Sequence, residues 1–178
     1  IQEGVGHGDR ADYLGKPLIK GSTPSWTSKK DIEEMVKFTL DYYSKLGLKA
    51  PKLGPDGKLD IHISVGNRTE SVGECEYNGT IRINIGTTGG LTGNVSLKNC
   101  IEHEIMHAVQ NQKNTDRTDS SGNGYHDTSF KEGMAVWGGI SSTMKNYNLT
   151  WKQAMDHLKL VGDHNWEDHY RDLNISSY

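Results

Sequence analysis

Long apolar runs are missing from this 178-residue chain, so no segment has the length or hydrophobicity to span a bilayer. A basic excess is missing too. With 20 Lys and Arg against 23 Asp and Glu, the net charge is −3, and no cationic stripe interleaves with aromatics. Nucleic acid and membranes are therefore not expected partners. Two cysteines are too few to define a disulfide framework, and 33% hydrophobic residues describe a loop-rich chain that still suffices for one core. An initiator Met and an apolar leader are absent ahead of Ile1, so the chain reads as a mature fragment of an exported protein. Gly86 to Gly93 is glycine-rich but lacks the Lys-Ser/Thr ending of a phosphate loop, and reads instead as a site rim.

What is present is histidine at an informative spacing. His103-Glu104-Ile105-Met106-His107 places two imidazoles four residues apart. At about 100° per residue both project from one side of a helix, with Glu104 beside them. Such a pair supplies half of a zinc site, and an adjacent carboxylate is placed to accept a proton from water. Chance alone would produce the pentapeptide roughly 0.02 times in a chain of this composition. The surrounding segment, Ser96 to Lys113, has Ser96 as its expected N-cap. Leu97, Ile101, Ile105, Ala108 and Val109 recur at helical spacing on a face separate from the histidines. Two histidines on an ordinary surface helix are the plain alternative.

A third ligand is expected from Glu132, on a second helical pattern that starts near Ser129 with Asp127 or Thr128 as cap. Met134, Trp137, Ile140 and Met144 form its expected apolar stripe, and Gly133 would let two helices approach closely. Two competing assignments exist. Glu132 also fits a capping box with Ser129, and His126, 19 residues beyond His107, is a rival donor.

HExxH followed by Glu132-Gly133-Met134-Ala135 resembles the gluzincins, zinc metallopeptidases whose metal is held by two His and one Glu. The resemblance covers about 42 residues, Ser96 to Trp137. It implies an α+β zincin-like metalloprotease fold: a small mixed sheet with an edge strand, an active-site helix and a helical C-terminal part. It also implies Zn²⁺ on His103, His107 and Glu132, Glu104 as general base, and endopeptidase activity on a peptide or protein substrate. The chain departs from thermolysin-like members, which carry an Asn-Glu-x-x-Ser-Asp string and place an Asp where Val136 stands. It departs equally from metzincins, which continue with Gly and His where Gln110 and Lys113 stand. The alternative function is a catalytically silent zincin-like structural or binding glycoprotein.

The resemblance further assigns a substrate-pairing edge to the strand before the metal helix, at Arg82, Ile83 and Asn84. It draws an oxyanion-stabilising Tyr or His from the C-terminal third, where Tyr147, His157, His164, His169 and Tyr170 are the candidates. Other expectations come from the residues themselves. Cys75 and Cys100 are expected to form a disulfide pinning the metal helix to the sheet. Five Asn-x-Ser/Thr sequons, at Asn67, Asn78, Asn94, Asn148 and Asn174, exceed the roughly two expected by composition and point to a secreted, glycosylated protein. Asn114 to Asp127, with Asp116, Asp119, Gly122, Asn123 and Gly124, is oxygen-rich enough for Ca²⁺ without matching an EF-hand.

One domain over 1–178 is expected: an arm at 1–25, a helix-and-sheet portion at 26–94, and metal-binding and C-terminal helices at 95–178. Leu18 to Lys20 reads as a short strand. Ser28 to Leu46 reads as a helix closed by Gly47, and Leu59 to Val65 as an alternating strand. Glu74 to Tyr77 and Thr80 to Ile85 flank Asn78-Gly79, the signal of a two-residue hairpin turn. Thr150 is the expected cap of a helix that turns Trp151, Ala154, Met155 and Leu158 inward, and Asn165 to Leu173 is a shorter helical candidate.

Overall fold

The computed structural model describes residues 18–53, 58–66, 72–76, 78–86, 93–111 and 125–159. These form a mixed α+β structure: β1 (Leu18–Gly21), α1 (Lys29–Lys45), β2 (Asp60–Gly66), β3 (Gly73–Cys75), β4 (Ile81–Gly86), α2 (Asn94–Asn111), α3 (Tyr125–Tyr147) and α4 (Trp151–Lys159). The expected helix at 165–173, the oxygen-rich loop up to Gly124 and the sequons Asn67 and Asn174 lie outside the described residues.

The first helix follows its sequence signals closely. Ser28 caps α1 by accepting a hydrogen bond from the Asp31 amide at 3.1 Å, and Gly47 takes φ 79° just beyond the Leu46 C-cap. That left-handed conformation is the one glycine adopts without a Cβ penalty. Ile32, Met35, Val36, Leu40 and Tyr43 are buried at helical spacing, whereas Leu46 stays outside the core.

The sheet has four strands in the order β1-β2-β4-β3. β1 pairs parallel with β2, β2 parallel with β4, and β3 antiparallel with β4. Ile81, Ile83 and Ile85 are buried while Arg82 and Asn84 are not, the period-2 alternation expected of β4. In β2, Ile61 and Ile63 join this core but Val65 is exposed. The isoleucines of the sheet pack in one cluster with Ile32 and Val36 of α1 and Leu97, Ile101 and Ile105 of α2.

Three features correct the expectations from sequence. The turn between β3 and β4 is longer than two residues: Glu76 N bonds Thr80 O at 2.8 Å, and Gly79 N bonds Glu76 O at 2.9 Å. Asn78 does not have a positive φ and Gly79 does, at 92°, so a type I′ turn on Asn78-Gly79, which needs both residues there, is not formed. Asn78 instead uses its side chain, accepting from Thr80 N at 2.8 Å. Secondly, β4 is interior. Ile83 pairs with Ile63 on one side and Gly73 on the other, so Arg82, Ile83 and Asn84 are not at an edge of the described sheet; β3 is.

The third correction concerns α3 and α4. α3 begins at Tyr125, upstream of Asp127 and Thr128, so Ser129 lies inside the helix and forms no capping box with Glu132. Its buried face runs through Ala135, Val136, Ile140, Ser142 and Thr143, and Trp137 is 40% exposed. Small residues, not the large ones, face α2 here, because Gly138 and Gly139 sit against Met106, Tyr43 and Asn99. Thr150 caps α4 as expected, exchanging bonds with Gln153 (Gln153 N to Thr150 Oγ1 3.3 Å, Thr150 N to Gln153 Oε1 2.8 Å). Trp151 is 42% exposed rather than inward, while Ala154 is buried.

Candidate metal centre

His103 and His107 stand on successive turns of α2 because the apolar residues on that helix claim the opposite side. Ile101, Ile105 and Ala108 are fully buried, whereas the two imidazoles keep 14% and 16% of their side-chain surface exposed. Their rings meet edge to face at 78°, and the two Nε2 atoms lie 3.0 Å apart.

α3 brings the third group. Glu132 Oε2 lies 3.4 Å from His103 Nε2 and 3.4 Å from His107 Nε2. Among the described residues, these three form the one group of His, Cys, Asp or Glu side chains gathered closely enough to hold an ion. The spacing is compatible with a bound ion. Ligands about 2.1 Å from a tetrahedral zinc are about 3.4 Å from one another, and the trio of separations falls on that value within a few tenths of an ångström. The donor set, two imidazoles and one carboxylate, also suits Zn²⁺. The residues therefore fit a divalent ion with one further position open.

Neighbouring groups steady this trio. Gln110 Oε1 meets His107 Nδ1 at 2.9 Å, and its amide donates to Lys131 O at 2.9 Å, so one side chain orients a ligand histidine and ties α2 to the turn of α3 that carries Glu132. Sequence reasoning missed Gln110, although its position three residues after His107 is the helical spacing at which side chains meet.

The electrostatics follow from the contacts. Hydrogen bonds from His103 and His107 hold the Glu132 carboxyl far below the usual carboxylate range. Burial pulls the His107 imidazolium down, but the bond and charge of Glu132 and the charge of Glu104 outweigh it, and the net shift is upward. Burial raises Glu104, with Glu132 and Glu74 adding to the rise and the two histidines opposing it. Glu104 is thus a carboxylate more basic than usual, 5% exposed, beside the trio.

All of these groups line one cleft of about 280 Å³, walled by Gly73, Glu74 and Cys75 of β3, by Asn111, and by His103, Glu104, His107 and Glu132. Gly73 is there for space. A Cβ on it would sit 2.6 Å from Glu104 Oε1 and 2.7 Å from Cys100 Sγ, so the backbone of the edge strand touches the carboxylate directly. No sequence signal marks Gly73.

Cys75 and Cys100 are not bridged: the expected disulfide is not formed. Each has its own environment. Cys75 Sγ contacts Asn111 Nδ2 at 3.8 Å and the Glu76 carbonyl at 3.7 Å, and burial pushes its thiol up to about 12. The helix is held to β3 by packing, with Gly73 against Glu104 and Cys100. With the bridge goes the structural support for a secreted glycoprotein, and no other feature of the described residues replaces it.

Of the oxyanion candidates, Tyr147 alone has a described side chain, and it stands away from the site. Tyr147 ends α3, 15 residues beyond Glu132 and so about 22 Å along the helix axis. The side chain of His157 and all of His164, His169 and Tyr170 lie outside the described residues. His126 is on the first turn of α3 and its side chain lies outside the described residues; among the described side chains, Glu132 meets the imidazoles. No protein-family model, no curated protein and no solved structure matches this chain.

Proposed function

We propose that this chain is a zinc-dependent peptidase of the gluzincin kind on a zincin-like fold, with His103, His107 and Glu132 as metal ligands and Glu104 as general base. The observation that carries the reading is the 3.0–3.4 Å triangle of Nε2, Nε2 and Oε2 with a buried, raised carboxylate beside it. When bound, zinc would supply Lewis acidity toward a carbonyl oxygen and toward water.

The chain's own residues supply the rest. Glu104 takes a proton from the attacking water and returns it to the departing amine, a transfer favoured by a carboxyl whose pKa is shifted upward toward neutrality. Gly73 holds that carboxylate in place by contact. β3 is the outermost described strand on its side of the sheet and lines the cleft with the metal ligands, and an extended peptide would pair with its main chain by strand addition. That arrangement favours hydrolysis within a chain over removal of an end residue.

Metal analysis combined with peptide-library digestion tests the proposal. Wild type is expected to hold one zinc and to cleave. Glu104→Gln is expected to keep its zinc and to lose about 10²- to 10⁴-fold in kcat. Stoichiometric zinc with no cleavage by either protein would favour the silent scaffold, and absence of zinc uptake by wild type would sink the metal centre itself.

A further inference from the structure

Glu102, one residue before the first ligand histidine, is fully buried and both its carboxylate oxygens are engaged. Oε1 accepts from Ser142 Oγ at 2.6 Å and from Thr39 Oγ1 at 3.5 Å, and Oε2 accepts from Thr143 Oγ1 at 2.6 Å. Lys98, one turn earlier on α2 and also fully buried, pairs with Oε1. Its ammonium lies 3.5 Å from Ser142 Oγ and 4.5 Å from the centre of the Phe38 ring. The Glu102 carbonyl accepts from Tyr43 OH at 2.9 Å. α1, α2 and α3 therefore converge on a single side chain.

Such an arrangement is a poor way to gain stability. Removing two charges from water costs about as much as their attraction returns, and well-packed apolar residues of the same volume do as well or better. What the polar cluster has over an apolar one is direction. Two short hydroxyl bonds from adjacent residues of α3, about 100° apart around that helix, define one roll of α2 against it. The roll matters at the next residue. An imidazole at the rim of a helix roughly 5 Å in radius moves roughly 2 Å for about 20° of rotation, whereas metal–ligand distances tolerate only about 0.2 Å.

We propose that Glu102, with Lys98, Ser142 and Thr143, is the positioning device of the metal centre: it sets the rotation of α2 that delivers His103 and His107 to Glu132. This rests on the zinc reading above. Gln110 ties the helices at one end of the ligand set, and Glu102 ties them at the other.

The test uses the double variant Lys98→Met/Glu102→Leu, which removes both charges while keeping volume, beside Ser142→Ala/Thr143→Val, which removes the α3 partners and leaves the pair. Zinc affinity and the visible spectrum of the cobalt(II)-loaded protein are read, with thermal melting of the apo-protein as the fold control. The first variant is expected to melt at or above the wild-type temperature, yet to bind zinc about 10- to 100-fold more weakly and to shift its cobalt bands. Glu102→Gln, which keeps the shape and one acceptor oxygen and offers the Thr143 or Ser142 hydroxyl an amide donor in place of the other, is expected to keep the cobalt spectrum close to that of wild type. If the first variant fails to fold, the second decides. Zinc affinity within about twofold of wild type with an unchanged cobalt spectrum, in whichever of the two double variants folds, overturns the proposal. Wild type that takes up no zinc overturns the centre and this device together, a distinguishable result.

Discussion

His107 carries two opposed influences, and its titration in the metal-free protein separates them. Burial favours the neutral ring; Glu132 and Glu104 favour the charged one and prevail, so the folded value lies above the ordinary 6.5. A raised value means that the charged imidazole contributes stability below the unfolded value, and that this is lost as pH rises through the folded one. Glu132 runs the other way. Its value is depressed from 4.5, so its contribution is present above that value and is lost as pH falls toward the depressed one. The pair thus supports the apo-protein between about pH 4.5 and the raised midpoint of His107. Zinc needs the neutral ring, so its affinity rises with pH through the same midpoint. Proton NMR of the apo-protein is expected to give His107 a midpoint above 6.5, and Glu132→Gln to lower it, since burial is then opposed only by the charge of Glu104 and the bond to Gln110. A midpoint unmoved by that substitution would disconnect Glu132 from the ring.

Gly73 offers a second check at the scale of single atoms. A Cβ added there would approach Glu104 Oε1 to 2.6 Å, a clash that cannot be relieved without moving the carboxylate or the strand. Gly73→Ala is expected to leave zinc content unchanged and to lower kcat about 100-fold, the scale of a misplacement of about 1 Å. Gly93→Ala, where a Cβ meets nothing within 4 Å, is the control and should behave as wild type. Equal activity in the two variants would remove the role assigned to Gly73. The paired imidazoles and Glu104 are legible in the sequence because HExxH is local and helical spacing alone aligns its members. Gly73 and Glu102 are not, since their roles are set by Glu104 and Ser142, which lie 31 and 40 residues away.

At the scale of elements, the α2–α3 contact decides whether the ligands meet, and glycine makes it close. A Cβ on Gly138 would lie 2.6 Å from Met106 Cε and 2.7 Å from Tyr43 OH. The methionine end can swing away. The tyrosine cannot, because it is buried and its hydroxyl is bound to the Glu102 carbonyl at 2.9 Å. Overpacking of this kind costs about 1–3 kcal/mol, against about 1 kcal/mol gained by replacing glycine in a helix. Gly138→Ala is therefore expected to destabilise by about 1 kcal/mol in urea unfolding, and a variant more stable than wild type would show that the helices have room to part. The same closeness explains why periodicity misplaces the apolar stripe of α3. It marks Trp137 as core, yet the face toward α2 is filled by glycines and hydroxyls that it counts as neutral. Strand order escapes the sequence for a related reason: alternation tells which face of β4 is buried, and says nothing about which strands flank it.

For the molecule as a whole, the proposed ion is a cross-link between two helices whose ligands are 25 residues apart in sequence. A ligand that binds only the folded state stabilises it by RT ln(1 + [L]/Kd), about 2.7 kcal/mol at a hundredfold excess over Kd. Zinc is thus expected to raise the melting temperature, and a chelator to return it to the apo value. The described fold retains its own core without the ion, since the sheet and the inner faces of α1 and α2 pack in one cluster that includes no metal ligand. Chelation should accordingly lower the melting temperature while leaving a cooperative transition. Glu132→Ala, which leaves two imidazoles on one helix, is expected to abolish most of the zinc-dependent rise while changing the apo melting temperature little, because the removed side chain is 36% exposed. An undiminished zinc effect in that variant would mean that the ion does not bridge α2 and α3, and the stability it confers would then have to arise within α2 alone.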